Sequence, residues 1–457
     1  MTVEIPKGRV QTLSASEQLH LKQVWAHLFQ HWGIQVKSEK VLNGTGTTST
    51  SSGASGEASG TSSTAADEEK PSASAGKKAA GKLFGRFRKS SSNADKSSSS
   101  GTSKTSKDRA RNGSFTSRRS AESVEQMYPS GMIHTALKDL KAEEVSENFW
   151  DMLRTDYPDN LILRFLRARK WDTDKALGMI AHTLHWRLKD SHPDSIIRGG
   201  ELEAYKKNET GYIKNIELCK ATLHGFDLKG RPLVVVRPKL HHSSDQTEEE
   251  MKKYCLLIIE QARMFLKEPV DCATILFDLT GFSMSNMDYA PVQYLISCFE
   301  AHYPECLGHL FIHKAPWIFP PIWNIIKNWL DPVVASKIVF TKSTDDLAKY
   351  VPSNYIPKYL GGEDDYDYDK FVKPGEDADV KLKDTETRDK LLKERKTIIK
   401  SFIDATKNWI ESADDESSAK WLKAKISISQ ELTENYRNLD PYIRSRSTYD
   451  VNGTLKV

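Results

Sequence analysis

The sequence predicts an α/β fold in which a helical lobe precedes a mixed, mostly parallel sheet. Between Pro232 and Lys342 lie the β-rich runs PLVVVRPKL (232–240), ATILFDLTGF (273–282), HLFIHKA (309–315) and KIVFTK (337–342), each separated from the next by a helical pattern. Strands spaced by helices imply right-handed crossovers and parallel pairing. Upstream, NLILRFLRARKW and the residues after it space their apolar side chains at helical intervals, so helices come before the sheet. With 38% hydrophobic and 28% charged residues in 457, the chain has enough apolar side chains for one substantial core.

In chain order, residues 14–32 form the first helix. Ser14 and Glu17 make a capping box, in which each side chain satisfies a free backbone N–H at the helix start. Leu21, Val24, Trp25, Leu28, Phe29 and Trp32 then recur at helical spacing, and Gly33 suits the C-terminal cap. A helix this short is marginal alone, so it is expected to pack on the main domain. Residues 38–130 are rich in Ser, Gly, Thr and Ala and cannot bury enough apolar surface to offset their ordering entropy, so they are expected to be disordered.

The net charge of +4 conceals an asymmetry. Thirteen Lys/Arg against Asp95 and Asp108 give the tract from Lys77 to Arg119 a charge of +11, which leaves −7 for the rest. Within that tract GKLFGRFRK (81–89) alternates basic and apolar residues. At about 1 kcal/mol for each Lys or Arg beside an anionic bilayer, it could hold a membrane weakly, and phosphorylation at Ser90 or Ser120 would weaken that hold. The alternative is a solvated linker. Gly76–Lys82, GKKAAGK, begins like a phosphate-binding loop, but Leu83 stands where Ser or Thr is required and no strand precedes it.

The folded body resumes near Gly131. Asp159 can cap the helix through NLILRFLRARKW, and 172–189 is a second helix with Ala176, Leu177, Ile180 and Leu184 on one face. Helices at 247–267 and 289–303 lie between the strands. After Gly362 come an acidic turn and two more helical patterns, which could cover the core or bind a partner; packing is the simpler expectation. The implied division is 1–37, an amphipathic helix; 38–130, a linker; 131–200, a helical N-lobe; 201–375, the α/β lobe; and 376–457, a helical extension.

The greasiest stretch is PWIFPPIWNIIKNWLDP (316–332). If Pro321–Leu330 is helical, only Asn324, Lys327 and Asn328 are polar, and they share one narrow stripe. It is shorter than the roughly 18–20 residues that cross a bilayer, and the N-terminus lacks the apolar region of a secretory signal. Cys219, Cys255, Cys272, Cys298 and Cys306 show no CxxC spacing and lie in apolar-periodic segments, which suits buried thiols in the cytosol.

Six stretches together resemble the CRAL-TRIO (Sec-fourteen-like) family of fungal phosphatidylinositol transfer proteins. They are LILRFLRARKWDTDKAL…WR (161–187), DLKGRPLVVV (227–236), ILFDLTG (275–281), YPECLGHLFIHKAPWIF (303–319), LDPVVASKIVF (330–340) and YIPKYLGG (355–362), in the family's order across about 145–375. The resemblance implies a helical N-lobe and a sheet flooring an apolar pocket closed by a gating helix. It places the inositol headgroup on Arg169, Lys170, Glu305 and Lys337, with Asp227 in the hairpin turn. It places the gate on Trp317, Phe319, Ile322, Trp323, Ile326, Trp329 and Leu330, and the pocket wall on Val234, Ala273, Ile275 and Phe277. The bottom-up reading of the charged residues is plainer: helix-end cations and an ordinary ion pair.

Two departures from the family pattern matter. Val334 replaces a hydroxyl that would bond the headgroup, and Leu223, Val234, Ala273 and Ile275 replace the hydroxyl side chains of the phosphatidylcholine site. The resemblance therefore implies an inositol-lipid site mostly kept and a choline-lipid site lost, with a sterol, squalene-like hydrocarbon or fatty acid as alternative cargo. It implies no catalytic residue and no cofactor beyond a bound phospholipid. The expected setting is a cytoplasmic monomer in transient contact with internal membranes such as endoplasmic reticulum, endosome or lipid droplet.

Rival readings are weaker. GFSMS (281–285) ends in Ser285 where a nucleophile elbow needs Gly, and His241, His242 and His313 lack metal-ligand spacing, which argues against an enzyme and a metal site. A lipid-sensing scaffold would recruit a protein partner through the flanking segments. Nucleic-acid binding by the basic tract lacks stacking aromatics beyond Phe84, Phe87 and Phe115. The gate, too, has a bland alternative: a core helix buried on both sides.

Overall fold

Five strands form one sheet in the computed structural model, which describes residues 5–37, 137 and 139–456. They are β1 (Ala221–Phe226), β2 (Pro232–Val236), β3 (Ala273–Asp278), β4 (Leu307–His313) and β5 (Ile338–Thr341), and they lie in sequence order across the sheet. β1 pairs antiparallel with β2, and every later pair is parallel, so the mixed, mostly parallel sheet is present. β1 is the strand that the sequence reading omits. Its ATLHGF is interrupted by a bulge between Leu223 and Phe226, where Gly225 takes φ +76° and the Tyr355 ring occupies the space a Cβ would need.

Successive side chains on a strand point to opposite faces, and here the two faces have different fates. Leu233 and Val235 of β2, Leu276 of β3 and Phe311 of β4 are buried against Leu347, Val351, Ile356 and Leu360. The alternate residues, Val234, Ala273, Ile275, Phe277, Leu310 and Ile312, face a cavity. Edge strand β1 is covered rather than exposed. Its Ala221 N–H donates to the Tyr254 hydroxyl at 2.9 Å, and its Leu223 N–H donates to the Tyr449 hydroxyl at 3.0 Å.

The helices before the sheet are α1 (Ala15–His31), α2 (Ala142–Met152), α3 (Pro158–Ala168), α4 (Thr173–His185), α5 (Pro193–Lys207) and α6 (Thr210–Glu217). α1 has the expected capping box and ends on Gly33 at φ +77°. It packs in the N-lobe core with Leu163, Leu166 and Leu177, and with Phe402 and Trp409 of α12 (Thr385–Ile410). α12 and α13 (Asp415–Ile443) therefore cover this core, as packing required. Residues 5–37, the N-lobe and the C-terminal helices contribute to one core.

Asp159 has a different role from the expected cap. Tyr157 is the N-cap of α3 and Pro158 its first residue, while Asp159 is buried, accepting from Trp25 Nε1 at 2.7 Å and pairing with Lys425 Nζ at 2.8 Å. Burial pushes the Lys425 ammonium down to about 8. The five cysteines are free, with Cys255 and Cys298 buried and the other three half-buried. The expectations for the 38–130 linker, including GKKAAGK, GKLFGRFRK, Ser90 and Ser120, lie outside the described residues.

Candidate functional site

The cavity lies between the sheet, α7 (Glu248–Met264), α8 (Tyr289–Ala301) and α9 (Phe319–Ile326). Its empty volume is about 1880 Å³, counted out to its solvent-open mouth, and its wall is almost wholly apolar. Val234, Ala273, Ile275 and Phe277 line it, and none carries a hydroxyl. Val334, the position that lacks the family's hydroxyl, lines it as well. Leu223 does not; it is fully buried in the core beside β1.

α9 covers the cavity with one face. Phe319, Ile322, Trp323 and Ile326 line the cavity, and Leu330 beyond the helix joins them. The opposite side meets solvent: Trp317 is 89% exposed, and Ile325 and Lys327 are exposed too. A core helix buried on both sides is thus not what forms. Trp329 lies off the cavity, edge-on to Tyr289 at 5.5 Å. The helix is also shorter than its apolar run. It starts at Phe319 with Pro320 and Pro321 in its first turn and stops at Ile326; Asp331 then caps a separate helix, α10 (Pro332–Ser336), through Val333 N–H at 2.7 Å. Asp331 N–H in turn donates to Glu300 Oε1 of α8 at 2.9 Å, which ties down the C-terminal end of the cover.

Two of the charged residues assigned to a headgroup meet where parallel strands begin. Glu305 and Lys337 precede β4 and β5 and pair at 3.8 Å, both partly exposed. Arg169 caps the C-terminus of α3 and lies within electrostatic reach of Glu300, whose carboxyl burial pushes up. Lys170 follows in a left-handed conformation and is exposed. Neither Arg169 nor Lys170 makes an ion pair with Glu305, whose partner is Lys337. Asp227 does not belong to this group. It is 4% exposed, and its carboxylate accepts from Lys229 N, Arg231 N, Arg231 Nε and Thr274 Oγ1 at 2.7–3.0 Å, which locks the β1–β2 turn. Arg231, held by Asp227, also reaches His309 Nδ1 on β4 at 2.8 Å.

Comparisons with known proteins decide the family. Residues 133–182 match the CRAL/TRIO N-terminal domain and residues 217–362 the CRAL/TRIO domain. A protein of Eremothecium gossypii named phosphatidylinositol transfer protein CSR1 is 54% identical over the full length of both chains. The chain belongs to the CRAL-TRIO family. A CRAL-TRIO domain-containing protein of Schizosaccharomyces pombe is 39% identical over 67% of this chain and 68% of its own. An Arabidopsis thaliana protein named phosphatidylinositol/phosphatidylcholine transfer protein SFH7 is 30% identical over 46% of this chain and 41% of its own. The CRAL-TRIO fold accounts for the sheet floor, the cavity and the cover. Among the described residues no group of three His, Cys, Asp or Glu is placed to hold a metal, and no helix is long and apolar enough to cross a membrane.

Sequence reasoning missed the polar residues at the other end of the cavity: Lys220, His241 and Asp288. Lys220 stands just before β1, the unrecognised strand, so nothing in the sequence marked it as facing inward.

Proposed function

We propose that the protein binds phosphatidylinositol and transfers it between membranes, exchanging one lipid for another without covalent chemistry. The observation that carries this is the large apolar cavity under a cover whose inner face is apolar, with the Glu305–Lys337 pair beside it. Exposing the roughly thirty methylenes of a phospholipid to water costs about 24 kcal/mol at about 0.8 kcal/mol each, so transfer requires an enclosed apolar site. A phosphodiester needs cations, and charge-assisted hydrogen bonds are stronger than neutral ones, which gives Arg169, Lys170 and Lys337 their role; Glu305 holds Lys337 and accepts from inositol hydroxyls. The 54% identical relative is named for the same lipid. Val234, Ala273 and Ile275 line the cavity and offer no hydroxyl to a choline phosphate, which supports an inositol lipid over phosphatidylcholine.

In this cycle Trp317 and the outer face of α9 meet the membrane interface, where Trp is favoured, and the cover swings out while the lipids exchange. The protein works as a cytoplasmic monomer touching internal membranes, and needs no cofactor. A donor–acceptor vesicle assay tests it. Wild type is expected to move phosphatidylinositol and not phosphatidylcholine, and Glu305→Ala/Lys337→Ala to lose at least tenfold in rate. Equal transfer by the double variant, or none by wild type, overturns the assignment.

A further inference from the structure

The cavity has a second polar end. Glu305 and Lys337 stand where the parallel strands β4 and β5 begin. Lys220 stands beside Arg237, one residue past the Ala221–Val236 pair, where the parallel strands end. Six charged, amide or imidazole side chains line the cavity: Lys220, Arg237, His241, Arg263, Asn286 and Asp288. Most are already committed. Arg237 pairs with Asp369, and Arg263 pairs with Glu260 and Asp156. Asn286 bonds Ser283 and the carbonyls of Lys239 and His241, and Asp288 caps α8 through Ala290 N–H.

Lys220 differs. It is 4% exposed, and among the described residues no carboxylate lies within ion-pair distance of its ammonium. Its Nζ lies 3.2 Å from Gln246 Oε1 and 3.4 Å from His241 Nδ1, and His241 Nε2 lies 3.1 Å from Asp288 Oδ2. Asp245, the other nearby acid, is held by Lys214 at 2.7 Å. An ammonium has three N–H donors, so one is left. Burial pushes this group down to about 8, the behaviour of a cation short of a counter-charge.

We propose that Lys220, oriented by His241 and Asp288, receives the carboxylate of a single-chain lipid lying in the cavity, that is, a long-chain fatty acid. A carboxylate supplies the missing negative charge and accepts the spare N–H, while the chain lies along Val236, Ile258 and Ile275. One spare donor in an apolar wall suits a compact monoanion. A phosphodiester would bring a glycerol and a headgroup that find no further free partners at this end. The inference rests on reading the cavity as a lipid site, but not on inositol recognition.

Titration calorimetry on the delipidated full chain at pH 7, below micellar concentrations, tests it with oleate, oleyl alcohol and methyl oleate. Oleate is expected to bind at least about tenfold more tightly than either neutral analogue, and Lys220→Met to erase that preference while still binding the alcohol. Equal affinities in wild type, or a preference retained in Lys220→Met, overturn the proposal. A second readout needs no variant. The carboxyl carbon-13 signal of bound oleate should titrate below its value in water, because an adjacent ammonium favours the anion; titration above that value overturns it. The two functional readings fail separately. Oleate preference without phosphatidylinositol transfer sinks only the transfer reading, and transfer without oleate preference sinks only this one.

Discussion

Helix α7 borders two interiors built on opposite rules. Met251, Tyr254, Cys255, Ile258 and Ile259 face the cavity, where contacts are apolar and non-directional. At Glu260 and Arg263 the same helix enters a buried lattice of charge. Glu260 takes Arg187 at 2.8 Å, Arg263 at 3.0 Å and the Tyr303 hydroxyl at 2.8 Å; Arg154 and Arg187 both reach Asp194 at 2.7 Å; and Asp156 holds Arg263 and Arg164 at 3.0 Å. These pairs join the N-lobe helices to the α/β lobe. Apolar contacts can be replaced by an acyl chain at little loss, whereas a buried charge cannot exchange its partner for a lipid. The lattice therefore holds the lobes together while the cavity is emptied and refilled.

The sharpest way to break this comparison is Glu260→Ala. It leaves Arg187 and Arg263 short of a buried partner and is expected to destabilise the fold by about 3–5 kcal/mol in urea unfolding. A loss under about 1 kcal/mol would show that the lattice does not join the lobes. Acid acts on the same groups. The arginines hold Asp194 and Asp156 below the usual carboxylate range and Glu260 at about 2, although burial alone would raise all three. Their stabilisation is complete above the unfolded pKa values near 4 and is lost as pH falls toward 2, so acid unfolding should begin below about pH 4.

Next comes a matched pair of phenylalanines. Phe402 is fully buried among Trp25, Trp150 and Phe149, and Phe402→Ala should cost about 3–5 kcal/mol. Phe319 is 7% exposed but borders the cavity, where a lipid chain can take the place of lost contacts, so Phe319→Ala should cost less, about 1–2 kcal/mol, and should change lipid exchange instead. Equal costs would remove the distinction between fixed and exchangeable cores.

A smaller effect has the opposite sign. Burial raises Glu201 to about 7, although Thr448 N–H and Gln261 Nε2 both donate to it. A carboxyl with a raised folded pKa favours the native state below the unfolded value near 4.3, and that contribution fades as pH rises through 7. Glu201→Gln should therefore stabilise the protein at pH 8 relative to pH 5, by about 1–2 kcal/mol. The smallest expected change in stability belongs to Trp317→Ala, under about 0.5 kcal/mol, since the side chain is almost wholly exposed. Co-sedimentation with vesicles should nonetheless fall; unchanged binding would remove Trp317 from the membrane contact.

The apolar interior was far more legible in the sequence than the charged one. Four strands, their parallel order and the capping box of α1 follow from local periodicity, which a single chain displays. Val234, Ala273, Ile275 and Phe277 fall on one face by alternation alone once their strands are recognised. Arg187 and Glu260 stand 73 residues apart, and Lys425 and Asp159 266 apart, so no local pattern links them. Asp159 was misread for the same reason: an acid at a helix start looks like a cap until its distant lysine is seen. The family resemblance assigns Asp227 to the headgroup, yet four donors from its own hairpin and β3 occupy it.

The two tyrosine hydroxyls on β1 set a schedule for synthesis. Tyr254 arrives 33 residues after Ala221, but Tyr449 arrives 226 residues after Leu223. At about 5–20 residues per second, that strand waits on the order of 10–45 s for its last N–H partner. During that interval the nascent sheet carries an open border on which another chain can grow. A stall or cleavage upstream of Tyr449 would make that border permanent, so the integrity of a segment remote from the lipid bears on whether the lipid-binding lobe aggregates along its edge.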